Sequence, residues 1–147
     1  MSLPPRIDAK AVAARIGPYA DKAASLDQRT ATYAELIGFV PPRIEARMAV
    51  TGALDPTLLD LQEKMRDHAM YPKCFDVKTA QLMLFGMLLM DMSDASQLHA
   101  IAARRAGASW EEMQAVISLC FLFRGLPAAN RGAEILANIA KREAEAK

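Results

Sequence analysis

Two histidines and two cysteines are the side chains of this chain best suited to move a proton or attack a substrate near neutral pH. His99 lies in DASQLHAIAARRAG, one to two turns into an expected helix and beside the most apolar segment of the sequence. An imidazole there can serve as a general acid or base, or it can fill a satisfied core position. On its own helix Ser96, three residues earlier, is the neighbour able to hydrogen-bond it. Asp91 precedes it by two helical turns, about 11 Å, which is beyond direct contact. His68, in MRDHAMYP, falls near another helix end, where a cation interacts favourably with the last carbonyls. Arg124 ends an apolar segment beside a glycine turn and is suited to hold a carboxylate, whereas Arg104 and Arg105 read as a solvated helix end.

Other chemistries lack their residues. Cys74 and Cys120 form no CxxC, so neither a disulfide framework nor a cysteine zinc site is expected. HxxxH and HExxH are missing, and Asp91, Asp94 and His99 do not have a ligand spacing that one helix presents together; no metal is expected. Neither GxGxxG nor GxxxxGK[ST] occurs, so no phosphate-cradling loop is expected.

The chain that must position these groups has 147 residues, half of them apolar and a quarter charged, which suits one domain with a real core. Its 18 basic and 17 acidic residues leave a net charge of +1, which argues against a partner that is nucleic acid. The N-terminus has no apolar run of signal-peptide type. The longest apolar stretch, 80–90, is 11 residues and contains Gln81. A bilayer span needs about 20. No membrane partner is expected, and the compartment implied is the cytoplasm.

Alanine, leucine, methionine, glutamate and arginine dominate, without β-branched runs bounded by hairpin turns, so the expected fold is all-α with about six to eight helices. Asp8 to Ile16 is a short helix stopped at Gly17-Pro18, and Asp27 to Ile37 a second, stopped at Gly38. Pro41-Pro42 opens a third that runs to Thr51 and ends at Gly52. Asp55-Pro56 starts a fourth with Leu58, Leu61, Met65 and His68 or Ala69 as its core-facing stripe, ended by Tyr71-Pro72. Asp76 caps a fifth, apolar on nearly all sides. A break is expected at 91–94, with Ser93 or Asp94 capping the helix that carries Ser96 and His99 and closes at Gly107. Ser109 and Glu112 form a capping box before MQAVISLCFLF, and Gly125 and Pro127 separate that helix from the last. Residues 1–53 read as an N-terminal helical extension and 54–147 as the main helical domain, the two together one compact unit. The apolar runs LMLFGMLLM and VISLCFLF exceed what one small core needs, so subunit packing is expected.

The stretch from His99 to Asn130 resembles the carboxymuconolactone decarboxylase family. The carriers of the likeness are His99, the turn Gly107-Ala108-Ser109-Trp110-Glu111-Glu112-Met113, and Gly125-Leu126-Pro127-Ala128-Ala129-Asn130; it extends back to Leu54-Asp55-Pro56. The resemblance implies the helical bundle of the alkyl hydroperoxidase D-like superfamily, assembled as trimers or hexamers. That superfamily's peroxidase branch places cysteines seven and four residues before the histidine. Those positions are Met92 and Ala95, so thiol peroxidase activity is not expected. The decarboxylase branch converts 4-carboxymuconolactone to an oxoadipate enol-lactone and carbon dioxide.

By that resemblance the chain is a cofactor-independent carboxy-lyase, or related proton-transfer enzyme, acting on a small lactone or carboxylic acid from aromatic catabolism. His99 is the implied proton carrier. Arg124, Asn130, Arg131, Ser96 and Asp94 are candidates for binding the substrate, the arginines by holding its carboxylate. One departure matters. The family commonly has a glutamate 19 residues before the histidine, and here Ala80 stands there, so Gln81, Asp91 or Asp94 takes its place or the substrate differs. The alternative is a non-catalytic oligomeric binding or scaffold protein of the same fold.

Overall fold

The computed structural model describes residues 7–146. Among them are eight α-helices and no strand, in line with the all-α expectation. The helices are α1 (Ala9–Arg15), α2 (Leu26–Ile37), α3 (Pro42–Leu54), α4 (Pro56–Met70), α5 (Val77–Met90), α6 (Ala95–Arg105), α7 (Trp110–Arg124) and α8 (Leu126–Glu145). The chain divides between Met70 and Tyr71 into two compact units. Helix α4, grouped on sequence grounds with the second half, packs on α3 in the first.

Local chemistry sets most boundaries. Asp8 accepts from the Ala11 N–H at 2.9 Å, and Asp76 from that of Thr79 at 2.7 Å, each satisfying a helix-start donor. Ser109 and Glu112 close the expected capping box, and Ser25 with Gln28 closes a second that starts α2 slightly early. Helix α3 does not stop at Gly52 but runs on to Leu54. Gly52 is instead a point of close approach, since a Cβ there would sit 2.3 Å from the Tyr19 ring. Asp55 is the sole residue between α3 and α4, and its carboxylate accepts from the Leu58 N–H at 3.0 Å.

In the N-terminal unit the inner side of α4 is ionic. Leu59 and Glu63 are the residues it buries, while Leu58, Leu61 and Met65 face outward, Met65 being 74% exposed. The expected core stripe is thus reversed. The Tyr33 hydroxyl lies 3.2 Å from both Glu63 oxygens, Arg47 pairs with the same carboxylate, and the Arg66 guanidinium stacks 3.7 Å over the Tyr33 ring. Arg29 bridges Asp21 and Asp60, tying α2 to α4. A buried carboxylate needs such partners, which explains how an inward Glu63 is tolerated.

Burial pushes the Tyr33 phenol up to about 12, against 10.0 for the free side chain. The phenol of the folded chain holds its proton better than that of the unfolded chain, so this stabilisation is complete below pH 10 and is lost as pH rises through 12. The two-unit gap corresponds to about 2–3 kcal/mol. Unfolding midpoints recorded between pH 9 and 12 should fall with pH in the wild type, and should fall less in Tyr33→Phe. Parallel curves for the two proteins would refute the assignment.

In the C-terminal unit, α5 and α6 form a hairpin on which α7 and α8 pack. The break falls at 91–94 as expected, with Met92 in the left-handed region (φ 54°). Asp94 occupies the cap position but makes no capping bond; its carboxylate pairs with Arg131, while the Ser93 hydroxyl accepts from the Ala95 N–H at 3.3 Å. Phe85 and Leu89 of α5, Met113 and Ile117 of α7 and Ile135 of α8 are buried in this unit. Small residues let the helices approach closely. Ala100, Ala102 and Ala103 are buried on α6, and a Cβ on Gly132 of α8 would come 2.6 Å from the Ile117 side chain.

Candidate functional site

His99 sits in the second turn of α6, partly buried. Its partner is not Ser96. The Ser96 hydroxyl is buried and donates to the Ser93 carbonyl at 2.7 Å, which fastens the turn entering α6. Across the hairpin, the Oε1 atom of Gln81 on α5 lies 2.8 Å from Nδ1 of His99. Gln81 is completely buried, next to the buried Ala80. An amide oxygen can only accept, so Nδ1 carries the proton and donates it, and the basic lone pair of the ring is on Nε2.

Helix packing holds this pair in place. Phe85, one turn beyond Gln81, is fully buried, and Ala100 beside His99 is fully buried on α6. The start of α5 is pinned to α7 by Lys78 Nζ, 2.7 Å from Glu112 Oε1. Each partner stabilises the other's charge: the Glu112 carboxylate raises the Lys78 ammonium, and Lys78 lowers the Glu112 carboxyl.

The candidate substrate-binding residues divide into two groups. Arg131 is held by Asp94 at 3.1 Å and by Glu134 at 2.9 Å, so Asp94 and Arg131 meet as an ion pair at the entrance to α6. Asp94 precedes His99 by five residues, roughly 7 Å along the helix. Arg124 lies elsewhere, exposed at the far end of α7. Helices α5 and α7 run in the same direction, since Lys78 meets Glu112 while Gly86 lies against Val116 and Cys120. Arg124 is therefore beyond Gly86 and Gln81 before it, about 13 Å apart along the helix axes. Asn130 is exposed on the first turns of α8, and His68 is exposed near the end of α4. Asp91, which the sequence left open as a replacement for the usual glutamate, is the exposed C-terminal cap of α5.

The chain matches no protein-family model, no curated protein and no solved structure. Among the described residues no helix is long and apolar enough to cross a membrane, and no three His, Cys, Asp or Glu side chains are grouped to hold a metal ion. The two positions that would carry the peroxidase sulfurs are the left-handed Met92 and the first residue of α6, Ala95. Cys120 is buried in the core against the Gly86 carbonyl, and burial raises its thiol above the usual value, away from the reactive thiolate. Cys74 is exposed ahead of α5.

Gln81 is the member of this pair that side-chain chemistry alone passes over. Its signal in the sequence is a single amide inside an otherwise apolar helix, because a buried amide must find a partner. The amide accepts from the ring where a carboxylate would, but carries no charge of its own.

Proposed function

We propose that the chain is a cofactor-independent carboxy-lyase or related proton-transfer enzyme, working in the cytoplasm on a small lactone or carboxylic acid of aromatic catabolism. The resemblance to the carboxymuconolactone decarboxylase family supplies the reaction class. The observation that carries the reading for this chain is the 2.8 Å contact between His99 Nδ1 and the buried Gln81, which supports Nε2 as the proton-transfer atom. In the proposed cycle Nε2 first takes up a proton from solvent, giving the imidazolium. The bond to the departing carboxylate then breaks, its electron pair enters the lactone's conjugated carbonyl system, and the Nε2 proton forms the new C–H bond, returning the neutral ring. Because the substrate itself takes up the electrons, the proposed reaction uses no metal or cofactor.

Arg131, held between Asp94 and Glu134, is the nearer of the two arginine candidates for the substrate carboxylate. The protein works in this reading as a homo-oligomer, a trimer or hexamer. The test is carbon dioxide release from 4-carboxymuconolactone and related lactone carboxylates. Turnover by the wild type that His99→Ala removes supports the reading, and turnover that survives the substitution defeats it.

The second reading, a non-catalytic binding or scaffold protein of the same fold, is favoured by the alanine at position 80 and by the two carboxylates already on Arg131. It predicts no turnover of any lactone carboxylate alongside saturable binding of one of them, seen by calorimetry.

A further inference from the structure

The outward face of α7 is a regular stripe, and its two halves differ in shape. Glu111, Gln114, Ala115, Ser118, Leu119, Leu122 and Phe123, at helical spacings of three, one and three, are all exposed, while Met113, Ile117 and Cys120 are buried on the inner side. The first half is hollow: Trp110, Gln114, Ala115, Ser118 and Leu136 line an open depression of about 540 Å³. The second half protrudes, with Leu119 62%, Leu122 70% and Phe123 84% exposed, followed by Leu126 at 67% on the first residue of α8.

We infer that this face is where two copies of the chain meet, by an antiparallel crossing of α7 on α7 about a two-fold axis near Leu119. The inference gives a location to the self-association proposed above and is independent of the chemistry at His99. Two observations favour a second copy as the occupant.

The first is shape. A two-fold centred on residue 119 sets position 123 opposite 115, so the protruding Phe123 of each copy enters the hollow over the other's Ala115, large against small. The second is area. The four protruding side chains leave on the order of 500 Å² of apolar surface in water. A standard interface takes about 800 Å² from each partner, roughly 65% of it apolar in homodimers, which is again about 500 Å².

A two-fold contact builds dimers and, combined with a three-fold, hexamers. Sedimentation velocity at micromolar concentration should show one of these for the wild type. Phe123→Glu should weaken the contact by at least 100-fold, leaving monomers or trimers with unchanged helical circular dichroism. Ala115→Arg, which fills the hollow that receives Phe123, should weaken it about tenfold with unchanged helical circular dichroism. A wild type that is purely trimeric overturns the two-fold. A monomeric wild type, including one that instead floats with phosphatidylserine vesicles, overturns both this inference and the self-association reading. An even-numbered oligomer indifferent to Phe123→Glu leaves self-association standing and overturns this location for it.

Discussion

His99→Ala should lower turnover of the cognate lactone carboxylate by roughly 10²–10⁴-fold, the usual contribution of a positioned general acid or base. The loss should fall on kcat and on kcat/KM alike, because a proton in flight exists only in the transition state. His99 is partly buried and hydrogen-bonds Gln81, so the alanine variant removes that bond from a buried amide. The expected stability cost is about 1–3 kcal/mol. A circular dichroism melt separates that effect from the catalytic one. The companion variant Gln81→Glu sharpens the test. It keeps the acceptor, adds a negative charge beside the ring and favours the imidazolium, so the basic limb of the pH–rate profile should move to higher pH. A profile that stays in place would show that position 81 does not act on the ring.

Phe85→Ala should destabilise the protein by about 3–5 kcal/mol, the range for truncating a fully buried phenylalanine. Total stability for a chain of this kind is about 5–15 kcal/mol, so the variant stands near the edge of folding. The reason is geometric. Phe85 is completely buried, and it lies one turn from Gln81 on the same helix. Two residues further along, Met87 is 57% exposed, so Met87→Gln should change stability by no more than about 0.5 kcal/mol. Urea unfolding of the two variants checks the contrast. Equal losses would mean that α5 is not oriented as described.

That contrast also shows what the sequence could reveal. In LMLFGMLLM every face is apolar, so periodicity marks a buried helix without saying which side is inside, and the assignment of Phe85 inward and Met87 outward belongs to the packing. Helix α4 failed for a related reason. Leu58 and Leu59 are adjacent, and the face continuing through Leu61 and Met65 has the better apolar pattern, yet the buried face is the one with Glu63, because Tyr33 of α2 and Arg47 of α3 converge on that carboxylate. Pairings across helices leave little trace in local spacing.

Helix ends were far more legible. Asp8, Asp76, Ser109 with Glu112, and the break at 91–94 act through hydrogen bonds a few residues long, which a sequence displays directly. At the site, His99 was legible as a residue type and through the family resemblance. Its contact with Gln81 is set by the crossing of α5 and α6, which no local spacing records.

In the proposed mechanism Gln81 holds the proton on Nδ1 of His99 and leaves Nε2 as the atom that exchanges it. With two histidines in the chain, one of them exposed, long-range ¹H–¹⁵N correlation spectra can be assigned with His68→Gln alone. For the neutral ring of His99 the spectra should show a protonated Nδ1 and an unprotonated Nε2, a pattern that Gln81→Leu should abolish. A neutral His99 protonated on Nε2 in the wild type would contradict the claim.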